Sequence, residues 1–128
     1  TSMYTPELRH ILGKEEILAY QQLVRRVPVA DNVIAYAVNL VTRTRPKSPQ
    51  SPKFIKDWLS WGAGPRASQY LILGAKTRAI LGGRFTPDIE DVRSIVGPVL
   101  RHRIVPNFNA EADGVAAMEI IAKLLEND

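Results

Sequence analysis

The segment Gly62-Ala63-Gly64-Pro65-Arg66-Ala67 carries the densest chemical signal in this chain. Letter for letter it fits the dinucleotide pattern G-x-G-x-x-G/A, in which a buried strand runs into the glycines and a pyrophosphate rests on the helix that follows. The context fails that pattern. Residues 56–61 are spaced like a helical turn or a loop, and no acidic residue about 20 positions on closes a second strand. What remains is an arginine in the first turn of a helix, with Pro65 at the position where proline best starts one. A helix N-terminus carries about half a positive charge, so a cation there opposes the dipole at a cost of a few tenths to about 1 kcal/mol. Two outcomes fit that cost. The long side chain swings into water, or the guanidinium fork and the free backbone N–H groups together take a phosphate.

Other chemistry is sparse. His10 and His102 are the two imidazoles and cysteine is absent, so thiolate zinc sites, disulfides and cysteine nucleophiles are excluded together. His102 lies between Arg101 and Arg103, as an exposed helix end would. The acidic pairs Glu15 with Glu16, Asp88 with Asp91, and Glu111 with Asp113 fall at helix starts, where capping and the dipole account for them. Gly13-Lys14 does not complete a phosphate-binding loop, because Glu15 follows it and Leu8 stands where the first glycine belongs. No apolar strand ends in an Asp-Glu pair that could hold magnesium. Taken alone, the chain is expected not to hydrolyse a nucleotide.

The elements that must hold these residues read as helices nearly throughout. Ile17, Tyr20, Val24 and Val27 recur at three or four until Pro28 stops them, and Asp31 reads as the cap of a second helix with Val33, Ile34, Ala37, Val38 and Val41 on its apolar side. These two are expected to pair as an antiparallel hairpin. Residues 45–53 are punctuated by proline and serine and have little to bury, which predicts an exposed, mobile loop around Lys47 to Lys53. Phe54, Ile55, Trp58 and Leu59 predict a short helical turn anchoring two aromatics in the core. The helix begun at Pro65 is apolar on nearly every side as far as Leu81, and is expected to be central. After Gly82-Gly83, residues 89–100 give the cleanest amphipathic pattern, starting at Thr86 or Asp88, and a last helix begins near Asp113. No strand pattern or repeat is evident. The fold class is therefore all-α, a small bundle of about five helices.

Composition agrees. With 128 residues, 45% hydrophobic and 23% charged, the chain suits one globular domain, residues 1–128, able to bury about two-thirds of its unfolded surface. No apolar run approaches the roughly 20 residues that cross a bilayer, and the N-terminus lacks the pattern of a signal peptide. Absent cysteine favours a reducing compartment, so a cytoplasmic location is expected. The net charge of +4 is unevenly placed: basic side chains outnumber acidic ones 9 to 5 in residues 1–65 and 7 to 3 in 66–109, but fall behind 1 to 5 in 110–128. A solvated surface or a nucleic-acid face would each explain that excess.

Residues 61–107 resemble the C-terminal helical lid of the MoxR family of AAA+ ATPases. The resemblance is carried by Gly62-Ala63-Gly64-Pro65-Arg66-Ala67-Ser68, by Ala75-Lys76-Thr77-Arg78-Ala79 with Gly83-Arg84, and by Pro98-Val99-Leu100-Arg101-His102-Arg103-Ile104. A helix pair like residues 14–45 and a final helix like 113–126 also accompany this lid, so the likeness spans most of the chain. Gly64 departs from it, standing where the family more often has serine, and Asp88-Ile89 stands in place of a Thr-Pro cap. The resemblance implies that Arg66 is the sensor-2 arginine, with Gly62, Gly64 and Pro65 shaping its turn and Arg101, His102 and Arg103 lying at an interface. It further implies a C-terminal fragment of a longer protein whose core domain, upstream, binds ATP and Mg2+. The parent would be a chaperone-like ring, a homo-oligomer such as a hexamer, acting on an unknown client, with no membrane and no specific nucleic acid as partner. Two rivals from other classes stand beside it. One is a helix-turn-helix built from residues 66–81 and 89–103, with Arg93, Arg101 and Arg103 on DNA, although its turn is long and acidic where bases should be met. The other is a standalone helical module that binds a protein.

Overall fold

Every fourth residue from Ala67 to Ala79, namely Ala67, Leu71, Ala75 and Ala79, is at most 1% exposed. Three alanines in that stripe let neighbouring helices approach closely, and they organise the fold. The structure, a computed structural model, describes residues 8–127. In chain order the elements are α1 Lys14–Arg26, α2 Asp31–Arg43, α3 Lys53–Trp58, β1 Leu59–Trp61, α4 Pro65–Leu81, α5 Ile89–Leu100, β2 Val105–Pro106, α6 Phe108–Ala112 and α7 Ala117–Glu126. The central helix is α4, packed against α5, α2 and α1, while α7 closes the far side of α5. The core joins the α4 stripe to Val33, Ala37, Leu40 and Val41 of α2, Val92, Val96 and Leu100 of α5, and Ile120, Ile121 and Leu124 of α7. Among the described residues, no helix is long and apolar enough to cross a membrane.

The fold is helical, as the apolar spacing predicts, but four expectations need correction. First, α1 and α2 do not form a hairpin. The extended Val27-Pro28-Val29-Ala30 link turns α1 onto α4, where Ile17, Tyr20 and Val24 line a groove with Leu73 and Thr77, and no residue of α1 is buried. Second, two very short strands exist: β1 and β2 pair antiparallel, Leu59 with Pro106 and Trp61 with Val105 across a bulge, and are too brief to show alternation in sequence. Third, the last helix begins at Ala117, where the Glu119 carboxylate accepts the Ala116 N–H at 2.7 Å, whereas Asp113 ends the separate helix α6. Fourth, Ala30 rather than Asp31 occupies the N-cap of α2. Ile55 and Leu59 fill the core beside α3, with Phe54 and Trp58 partly buried at its margin under the Lys123 ammonium.

The start of α5 falls at Asp88. Its carboxylate accepts the Asp91 N–H at 2.9 Å and Asp91 returns the bond to the Asp88 N–H at 3.0 Å, a reciprocal cap. Asp91 is 4% exposed and also receives two 2.6 Å bonds from the Arg84 guanidinium, which is 44% exposed. Those bonds hold the Asp91 carboxyl below the ordinary carboxylate range, against the opposing effect of burial. Because the folded value is depressed, this contribution is complete above about pH 4 and disappears as the pH falls through the lower folded value. Asp91→Ala is expected to cost on the order of 1 kcal/mol at neutral pH through the cap. Melting curves at pH 7 and pH 3 should show the gap between wild type and variant closing in acid; a gap that persists would mean the carboxylate plays no such part.

Candidate functional site

The turn between β1 and α4 begins at Gly62, where a glycine is required by close approach. A Cβ placed there would lie 2.6 Å from Arg45 Cα and closer still to the Thr44 carbonyl. Both peptide groups of the next residue, Ala63, are held by the end of α2. Thr44 Oγ1 accepts the Ala63 N–H at 2.9 Å while donating to Val41 O at 2.6 Å, and Arg45 Nε donates to Ala63 O at 3.0 Å. The Arg45 carbonyl in turn accepts Ser51 Oγ at 2.6 Å and the Ser48 N–H at 2.9 Å. The proline and serine stretch is exposed at Lys47, Pro49, Gln50 and Lys53, as expected, but it is also anchored to the fold at Arg45 and Ser51. Ser51 is 6% exposed and backbone turns run from Arg45 through Ser51. Its polar groups, rather than apolar ones, supply the contacts.

Gly64 differs from Gly62. Its φ of −80° and ψ of 175° suit any residue, and a Cβ there meets nothing within 4 Å. It caps α4 without a side-chain bond, Pro65 follows at the first helical position, and Arg66 comes next. Arg66 is exposed and makes no hydrogen bond or ion pair with another described residue. Pro65 has no N–H and that of Ala67 is donated to Gly64 O at 3.0 Å. Of the first three positions of α4, this leaves the Arg66 N–H, beside the Arg66 guanidinium, as the backbone donor at the helix start without an acceptor among the described residues, fewer amides than a helix N-terminus without proline offers. Beside the turn lies a groove of about 480 Å³ lined by Arg45, Pro46, Lys47 and residues 60–65.

The second cluster, Arg101-His102-Arg103, is only partly available. Arg101 and His102 are exposed at the end of α5, whereas Arg103 Nη1 bonds Val99 O at 2.5 Å, touches His102 Nε2, and places its guanidinium 4.9 Å from the Tyr70 ring centroid. Tyr70 lies one helical turn beyond Arg66, so Arg103 reaches the same part of α4. Arg93 is bound inside the fold, to Tyr36 Oη at 3.2 Å and Leu125 O at 3.0 Å. Among the described residues no three acidic or imidazole groups converge as a metal site would need. The residues missed in sequence are Thr44, Arg45 and Ser51. Their partners lie across a loop-to-loop contact that no spacing rule announces.

Comparison with known proteins extends these observations. A model of the AAA lid domain family matches residues 54–124. The chain is 31% identical over 121 residues to Chaperone MoxR1 of Mycobacterium tuberculosis (strain ATCC 25618 / H37Rv), covering 94% of this chain and 32% of that protein. It is 26% identical over 118 residues to Uncharacterized protein YeaC of Bacillus subtilis (strain 168), covering 92% and 34%. A crystal structure of a "putative ATPase" from Cytophaga hutchinsonii ATCC 33406 superposes with a TM-score of 0.82 at 27% identity, over 88% of this chain and 34% of that one. The chain spans about a third of the length of each of these proteins. With the family match covering more than half of the chain and the lid motifs lying within it, this chain belongs to the AAA lid domain family, in the form carried by MoxR-type AAA+ ATPases.

Proposed function

We propose that this lid supplies Arg66 as the sensor-2 arginine to ATP bound in a core domain upstream, and that its motion couples hydrolysis to chaperone-like remodelling of a client protein. The parent on this proposal is a cytoplasmic ring homo-oligomer such as a hexamer, its core holding ATP and Mg2+. The observation that carries it is a guanidinium at the second position of a 17-residue helix, exposed and unbonded to any described residue, on a turn held from both sides. A cation against the helix dipole with no internal partner is suited to an external anion. Bound Mg2+ would neutralise phosphate charge and orient the nucleotide, and with no carboxylate cluster described in this chain its ligands are assigned to the core. The contribution of the lid is then limited to charge and position: the Arg66 fork meets a phosphate oxygen and follows the lid as a rigid body. The helix-turn-helix alternative is disfavoured because Arg93 and Arg103, two of its three cations, are engaged within the fold.

Turnover by the parent with Arg66 replaced is the direct test. A complementary expectation concerns the isolated chain. One charge-assisted contact contributes at most about 3 kcal/mol, while even millimolar affinity needs about 4. Calorimetry should detect no micromolar ATP binding and coupled assays no hydrolysis; either activity in the lid alone would contradict the division of labour proposed.

A further inference from the structure

Among the described residues three polar side chains are buried, and two of them, Thr44 and Ser51, belong to the segment that grips the turn before Arg66. Thr44 is 1% exposed and spends its single hydroxyl on two main-chain groups, one in α2 and one in the turn. Arg45 holds the carbonyl of the same peptide unit, and Ser51 holds Arg45. Gly62 lets the two backbones touch. Two residues, Gly64 and Pro65, separate Ala63, bonded at both its N–H and its C=O, from Arg66, and Pro65 limits the backbone freedom between them. The main chain that leads into Arg66 is therefore tied to the end of α2 and to the proline and serine loop after it, in addition to the packing of α4 itself.

Resting on the sensor-2 function proposed above, we infer that Thr44 and Arg45 are positioning residues for Arg66, a brace through which α2 sets the placement of the guanidinium on the phosphate. Effective catalysis by an oriented charge is sensitive to displacement, with about 1 Å of misplacement costing up to a hundredfold in rate. The brace should therefore appear in kcat more than in KM. In the full-length ATPase, Thr44→Val and Arg45→Met are expected to lower kcat for ATP hydrolysis by roughly tenfold with KM within about threefold of wild type. Thr44→Ser, which keeps the hydroxyl, should restore most of the loss. The deciding measurement combines each variant with Arg66→Ala. A brace acting through Arg66 has nothing left to position, so the double variant should be no slower than Arg66→Ala alone. Multiplicative losses in the double variant would overturn the inference and mark Thr44 as generally structural, as would wild-type kcat in a folded Thr44→Val. If Thr44→Val does not fold, Arg45→Met, whose side chain is only half-buried, decides by the same comparison. Arg66→Ala with unchanged turnover sinks the sensor-2 proposal itself and the brace with it, whereas slow Arg66→Ala beside normal brace variants sinks only the brace.

Discussion

Arg66→Ala in the full-length ATPase is expected to slow ATP hydrolysis by roughly ten- to a hundredfold while leaving the lid folded. A charge-assisted contact to phosphate contributes on the order of 1.5 to 3 kcal/mol, and each 1.36 kcal/mol lost from the transition state is a tenfold loss in rate. Arg66→Lys should recover only part of this, since an ammonium keeps the charge but not the two-pronged fork. The fold should tolerate both changes. Arg66 is exposed, contributes no bond to the described fold, and opposes the dipole of α4, so its removal is neutral or favourable by a few tenths of a kcal/mol. Steady-state turnover beside a melting curve for the same variant separates the outcomes. Normal turnover in a folded protein removes Arg66 from the site, and a collapsed fold gives it a structural role instead.

The start of α4 is legible in the sequence because its signal is local: proline after glycine marks a helix start, and a cation there stands out, although the role proposed for Arg66 comes from the family resemblance. The helices of ten or more residues are legible for the same reason, each carrying its own period. What was not legible depends on contacts between segments distant in sequence. The stretch from Arg45 to Ser51 has almost nothing apolar, and an account based on apolar burial leaves it in solvent; it packs because a threonine, an arginine and a serine satisfy main-chain groups 18 or 19 residues away and within the loop itself. The β1–β2 pair is three residues against two, below the length at which alternation is visible. Helix α6 has five residues, and although Asn107 caps it by accepting the Ala110 N–H at 3.1 Å, a single cap signal is easily taken for a turn. The placement of α1 has a different origin. Its apolar stripe is plain in the sequence, but the partner is α4, and the direction of a chain after Val27-Pro28 is a tertiary outcome that periodicity does not encode.

The two glycines of the motif give the sharpest contrast. Gly62→Ala is expected to destabilise the lid by about 3 kcal/mol, roughly 10 °C in melting temperature for a domain of this size. The added methyl would overlap the Thr44 carbonyl and the Arg45 Cα, and neither can rotate aside as a side-chain tip could, because both are main-chain atoms fixed by the end of α2. Gly64→Ser, two residues on, should do the reverse. Its backbone is ordinary and extended, its Cβ position is open, and a serine hydroxyl at the N-cap can accept an N–H from the first turn of α4. Reduced freedom in the unfolded chain adds to that cap, for a gain of about 0.5 to 1 kcal/mol. Melting curves for the two variants beside wild type test both signs at once. A wild-type melt for Gly62→Ala would mean that α2 and the turn separate easily, so that the contact holding Ala63 is loose; a Gly64→Ser variant less stable than wild type would mean that the turn depends on glycine where its backbone angles do not require it.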